Sequence, residues 1–250
     1  MEIQKTDGII LSSYLFGEAD NYSRVYTREF GKRDFIFKGI KKSKKRSKLI
    51  TELGTIANLI YYYNEKKNSY VVNEFTIHKH YLKIRNNLKK ILHLSFILET
   101  VQNTCGYDDP NISLFNLLYR GIATLSSTEY IEHLTVFFTI HLLKIEGIIP
   151  DFSRCKNCNK SDYIEFIIDT SDFLPICSKC CSYNSMIPLN RKMKEFIDIA
   201  LYKKFLNFNH SKFNKKDLLN LLFYLSLFLE NYFQIKIKSK ALLFSPIMNY

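Results

Sequence analysis

Between Glu2 and Ile77 the chain is broken too often for a long helix to form. β-Branched and aromatic residues fill five stretches, Ile3–Leu15, Tyr22–Arg28, Arg33–Lys38, Thr55–Tyr63 and Ser69–Thr76, and Gly17, Gly31, Gly39 and the polar run 64–68 separate them. That composition and punctuation predict strands. Five short strands within eighty residues, with no long helix between them, suggest a small closed barrel. The five-stranded OB-fold is the predicted form, one that recurs in oligonucleotide binding. Strand number alone also fits an SH3-like barrel. On the second strand, period two puts Arg24, Tyr26 and Arg28 on one face and Val25 and Thr27 on the other. Two roles fit Tyr26: a ring that stacks a base, or a core side chain with arginines at its rim.

After Phe75 the period changes. Ile84, Leu88, Ile91, Leu92, Ser95 and Leu98 recur at helical spacing. The shift predicts a domain boundary near residue 79, with a barrel over 1–79 and helices over 80–250. Further helices are expected at about 112–125, after the start signal Asp108-Asp109-Pro110-Asn111, and at about 129–146, ended by Gly147 and Pro150. Two more are expected at 192–205 and 216–233. The last is apolar nearly all round, as befits the centre of a bundle or a helix whose outer face receives a partner. The fold class is therefore α+β, a barrel followed by a helical bundle. No spacing rule places the tail from Ile235 onward.

Cysteine spacing interrupts the helices. Five of six cysteines lie between Cys155 and Cys181. Cys155-x-x-Cys158 and Cys177-x-x-Cys180 form two knuckles, each able to aim two thiolates at one ion. The intervening run Tyr163–Asp169 reads as a strand, so the insertion at about 153–183 is expected to be a zinc-ribbon-like unit holding one structural Zn²⁺. Adjacent Cys181 is an alternative ligand to Cys180. A closed four-thiolate shell leaves no position for substrate. Cys105, alone on an apolar helix, is expected to be a buried thiol.

Gly31 to Gly54 carries the densest charge. Lys41, Lys42, Lys44, Lys45, Arg46 and Lys48 put six cations into eight residues. A segment that repels itself and has little to bury is expected to be a mobile loop. A cationic loop on a rigid sheet suits a polyanion, because each neutralised phosphate releases counterions. With Arg24, Lys32, Arg33 and Lys38 these residues form the expected nucleic-acid surface. The net charge of +12 agrees. It discriminates less than the local cluster, since codon bias towards lysine raises charge everywhere.

Catalytic patterns are missing. The sequence has no Walker loop, GxGxxG, HExxH or nucleophile elbow. His78, His80, His93 and His141 have no partner at useful spacing, and Glu18 and Asp20 suit turn capping. No apolar run spans a bilayer and no signal peptide is evident, which makes the cytoplasm the expected compartment. No membrane and no small-molecule substrate are expected.

The N-terminal motifs resemble the RecO family of bacterial DNA repair proteins. The shared features are Gly17-Glu18-x-Asp20, Thr27-Arg28-Glu29-x-Gly31-Lys32, Lys38-Gly39 leading into a basic segment, and Leu53-Gly54. This chain carries lysine where many members carry arginine, which keeps the charge but loses bidentate phosphate geometry. The resemblance implies an N-terminal OB-fold, a helical domain and a four-cysteine zinc site. It also implies a non-enzymatic recombination mediator that binds single- and double-stranded DNA and anneals complementary strands. The implied partners are RecR and the C-terminal tail of single-stranded DNA-binding protein, in helping to load RecA. A protein-interaction adaptor with little direct DNA binding is the alternative, and a zinc-using enzyme on nucleic acid is a third reading.

Overall fold

The computed structural model describes residues 2–65, 68–161, 166–169, 171–181 and 186–245. It divides into two compact units, Met1–Thr128 and Glu129–Tyr250. The change of period near residue 79 lies inside the first unit.

In the first unit β1 (Ile3–Phe16), β2 (Asp20–Thr27), β3 (Gly31–Phe37), β4 (Ile56–Asn64) and β5 (Ser69–Lys79) close a barrel in the order β1-β2-β3-β5-β4. Every neighbour is antiparallel except β3 and β5, which pair in parallel at Phe35–Tyr70 and Ile36–Val71. This single parallel closure is the OB-fold arrangement. Long β1 serves both sides of the seam. Its first half pairs with β4 and its second with β2, and a bulge between Ile10 and Ser12 turns the strand from one to the other.

Alternation fills the interior. Val25, Phe35, Phe37, Leu59, Tyr61 and Val72 are buried together, and the Phe35 and Tyr61 rings meet edge to face at 4.9 Å. Gly31 is fixed by geometry. Its φ is +68°, and a Cβ there would lie 2.3 Å from the Asp109 carbonyl oxygen.

Three helices complete the unit: α1 (Leu82–Arg85), α2 (Leu88–Thr104) and α3 (Ile112–Ser127). Asn87 caps α2 by accepting from Lys90 N, and Asn111 caps α3 by accepting from Leu114 N. α2 packs on β1 and on α3. Tyr26 settles as core: it is fully buried, and its hydroxyl accepts from Asn111 N at 3.2 Å. The base-stacking role for Tyr26 is thereby overturned, because the turn before α3 covers that end of the face.

In the second unit α4 (Ile131–Ile145), α5 (Arg191–Tyr202) and α6 (Lys215–Phe233) pack together, followed by short α7 (Ser239–Leu243). α6 contacts both α4 and α5 and buries Leu218, Leu221, Leu222, Leu225 and Leu229, in keeping with its apolar sequence. Between α4 and α5 lies a three-stranded sheet, β7-β6-β8, made from β6 (Phe166–Asp169), β7 (Pro175–Cys177) and β8 (Met186–Leu189). The strand expected at 163–169 is seen over its last four residues; 163–165 lie outside the described residues. Tyr224 on α6 donates to Phe173 O at 2.9 Å, which ties this insertion to the helices.

Candidate nucleic-acid interface and metal centre

The cationic segment runs from the end of β3 to the start of β4 and is bonded to the barrel at several points. Gly39 N donates to Asp20 Oδ1 at 2.7 Å, and Lys41 N donates to Ala19 O at 3.0 Å. Ile40 and Ile50 are fully buried in the barrel core and anchor the two ends. Ser43 Oγ accepts from Arg46 N, while Arg46 Nη1 donates to Lys38 O at 2.8 Å and its guanidinium lies 5.2 Å from the Phe75 ring centre. The expected free loop is instead a pinned one. Two isoleucines spaced ten residues apart give the segment something to bury.

Pinning sorts the cations. Lys38, Lys42, Lys44, Lys45 and Lys48 are exposed, whereas Lys41 and Arg46 are half-buried. Lys42 pairs with Glu18 at 2.8 Å, both side chains being solvated, so that pair contributes little to stability.

The three remaining candidates on the barrel already have partners. Arg24 donates through Nε to Asp34 Oδ1 at 2.8 Å and through Nη2 to Oδ2 at 3.0 Å. Arg33 donates to Asp108 Oδ1 at 2.6 Å and to the Tyr61 hydroxyl at 3.1 Å, with its guanidinium over the Phe30 and Tyr70 rings. Lys32 is buried, and its ammonium donates to Gln102 O at 2.7 Å and Cys105 O at 2.5 Å. There it meets the carbonyls that close α2, a favourable place for a cation. Burial lowers the Lys32 pKa.

Asp34 organises a second feature of this face. Besides Arg24 it accepts from the Tyr22 and Tyr107 hydroxyls, both at 2.9 Å from Oδ2. Burial works against its carboxylate, but donors from Arg24, Tyr107 and Tyr22 prevail and lower its pKa. Desolvation and the bond to Asp34 push Tyr107 up to about 12 and raise Tyr22 as well. Both phenols stay protonated as donors. Tyr14 and Phe16 on β1 stand beside Tyr22. Sequence reasoning missed this aromatic group, although alternate spacing on two adjacent strands was a signal for it.

In the second unit Cys155, Cys158, Cys177 and Cys180 place their sulfurs within 4.8 Å of one another. Cys158 Sγ is 3.7 Å from Cys177 Sγ, close to the ~3.8 Å that a tetrahedron with ordinary Zn–S bonds requires. Each knuckle is a tight turn: Asn159 N donates to Cys155 O at 2.9 Å, and Cys180 N donates to Cys177 O at 3.0 Å. Cys181 is outside the cluster. Lys156 bonds Asp169 and Asp172, at 2.8 and 2.6 Å, and braces the first knuckle against β6. Burial opposes the Cys155 thiolate, but N–H donors from Cys158, Cys177 and Asn157 outweigh it and bring the thiol down to about 6. Cys180 is pushed up to about 12 by its sulfur neighbours, Cys177 first. Four sulfurs this close cannot all ionise without a cation among them. The group can hold a metal ion.

These observations define an OB-fold protein with a helical second part and a four-thiolate centre. Comparison with known families makes the assignment specific. The chain belongs to the recombination protein O family: the family's N-terminal description matches residues 1–81, and its C-terminal description matches residues 85–241. A protein of Caldanaerobacter subterraneus subsp. tengcongensis called DNA repair protein RecO is 25% identical over 209 residues, covering 82% of this chain and 83% of that one. Another of that name from Halalkalibacterium halodurans is 27% identical over 177 residues, covering 70% and 68%. A third, from Syntrophus aciditrophicus, is 28% identical over 160 residues, covering 62% and 60%. Among the described residues no helix is long and apolar enough to cross a membrane.

Proposed function

We propose that this protein is a non-enzymatic mediator of DNA repair and homologous recombination. In this reading it binds single- and double-stranded DNA, anneals complementary strands and, with RecR, helps RecA onto strands coated by single-stranded DNA-binding protein. The observation that carries the reading is the exposed row Lys38, Lys42, Lys44, Lys45 and Lys48, held against the end of a closed OB barrel. Lysines so placed neutralise phosphates without reading bases. Two strands held this way repel each other less, which lets their bases pair. Family membership supports the same reading.

The four-thiolate centre is assigned one structural Zn²⁺, because four thiolates gathered this closely match that ion's preferred ligands. When bound, it would cross-link the two knuckles and stabilise the insertion between α4 and α5. In the second unit a cleft of about 410 Å³ between α6 and α7 is lined by Lys215, Lys216, Leu219, Phe223 and Leu243. Lysines beside an apolar floor suit the acidic, apolar tail of single-stranded DNA-binding protein, and the cleft is proposed as its site.

The test is annealing of two labelled complementary oligonucleotides, bare and coated with single-stranded DNA-binding protein, across a salt series. Salt-sensitive annealing of both substrates is expected. Failure on both would favour an adaptor that binds proteins only.

A further inference from the structure

Phosphate contacts do not distinguish an unpaired strand from a duplex. The outer face of β1, β2 and β3 carries chemistry that does. Tyr14 and Tyr22 stack there with ring centres 4.9 Å apart and planes 27° apart, and Phe16 lies 6.3 Å from Tyr22. Tyr107, from the turn between α2 and α3, joins them through Asp34. Tyr14, Phe16 and Tyr107 are 52%, 51% and 50% exposed. Such a group of large aromatic rings left in water marks a binding surface.

Two further features identify the occupant. The first is rigidity. Asp34 Oδ2 holds the Tyr22 and Tyr107 hydroxyls, and Arg24 grips the same carboxylate while its guanidinium lies 5.2 Å from the Tyr107 ring centre. Tyr22 and Tyr107 are therefore oriented before anything binds, and Tyr14 stacks on Tyr22. The second is charge. β1 runs from Tyr14 and Phe16 into the Gly17–Ala19 turn, and that turn accepts the start of the lysine segment, with Lys41 N on Ala19 O and Lys42 paired to Glu18. The aromatic row ends where the cations begin. A ligand that offers flat rings along a polyanionic backbone matches both halves.

We propose that Tyr14, Phe16 and Tyr107, supported by Tyr22 and Asp34, form a base-stacking platform for single-stranded DNA, and that this platform makes the protein bind an unpaired strand more tightly than a duplex. The lysines hold the backbone and the rings take the bases. A duplex keeps its base faces stacked inside and offers the rings nothing. Stacking on a side-chain ring tolerates any base, so the platform selects strandedness and not sequence. The proposal rests on the DNA-binding reading above and adds a separate site to it.

The experiment measures affinity for a thymine-rich single strand and for a duplex of equal length across a salt series, with native protein, the double variant Tyr14→Leu/Phe16→Leu, Tyr107→Leu, and Tyr14→Phe. A single strand carrying 2-aminopurine reports stacking directly in the native protein. The native protein should quench that probe. The double variant should lose single-strand affinity at least about fivefold, keep its duplex affinity and keep the native salt slope; Tyr107→Leu should lose less in the same direction. Tyr14→Phe, which retains a ring, should match native. No quench with native protein overturns the platform without recourse to any variant. Unchanged single-strand affinity in the leucine variants, beside a normal native salt slope, overturns the platform and leaves the DNA-binding reading standing. Equal losses on both substrates overturn the strandedness role. If native protein binds neither DNA, the functional reading fails and the platform falls with it.

Discussion

Arg24 and Asp34 are directly opposed across the β2–β3 ladder, and the guanidinium grips the carboxylate through two hydrogen bonds of 2.8 and 3.0 Å. Arg24 thus serves as an anchor for Asp34. Asp34→Ala would leave a half-buried guanidinium and two phenols without their acceptor. Loss of charge-assisted bonds at such a site costs about 2 kcal/mol, or roughly 4–8 °C in melting temperature for a chain of this size. The pH dependence has a definite sign. The folded pKa of Asp34 is lowered, so its stabilisation is present above the ordinary carboxylate value near ~4 and is lost as pH falls through the lowered folded value. The gap in melting temperature between native and variant should be full at pH 7 and should close as pH drops below about 4. A gap that persists unchanged to low pH would refute the assignment.

Lys32 and the loop lysines should behave oppositely. Lys32 ends on two carbonyls at the close of α2. Lys32→Met keeps the buried stem but leaves those carbonyls without their donor. The expected outcome is a lower melting temperature, by a loss of about 1–3 kcal/mol, with the salt slope of DNA binding unaltered. Thermal melts and a binding titration at several salt concentrations check both halves.

Changing Lys42, Lys44, Lys45 and Lys48 together to Ser should give the reverse. All four are exposed and outside the core, so the melting temperature should stay near native. If each meets one phosphate, the slope of log affinity against log salt for a single strand should become shallower by about 3. An unchanged slope would move the phosphate contacts elsewhere.

These contrasts also mark what the sequence could and could not convey. Strand period and glycine punctuation were legible because they are local, and they placed Arg24 and Tyr26 on one face. Which of the two would be covered was not, since the cover is Asn111, far along the chain. Helical period after residue 79 disclosed helices but not their company, and α2 and α3 fall in one compact unit with the barrel. The lysine run disclosed charge, while its order depends on Ile40 and Ile50, whose burial is decided by the barrel interior. The platform was half legible: Tyr14, Phe16 and Tyr22 recur at alternate positions, but Tyr107 joins them only through Asp34. The cysteine knuckles were fully legible, because each is set by a spacing of a few residues.

That locality makes the four-thiolate centre the simplest part to test. Each sulfur lies on a turn that already points it at the others. The insertion has a small apolar cluster of its own, centred on Ile176 and the buried Cys155 and Cys177. An ion held by all four sulfurs would add a cross-link to the bonds that already join the knuckles, Lys156 N to Pro175 O and Cys177 N to Cys155 Sγ, so stability would be linked to metal binding. Elemental analysis should find one zinc per chain. A strong chelator, or Cys177→Ser, should remove it and lower the melting temperature of the second unit. Lys42, Lys44, Lys45 and Lys48 belong to the first unit, so salt-dependent DNA binding should survive chelation at temperatures where that unit remains folded. Metal-dependent turnover of a nucleic acid would instead make the centre catalytic, and stoichiometric zinc with no change in melting temperature would remove its structural role.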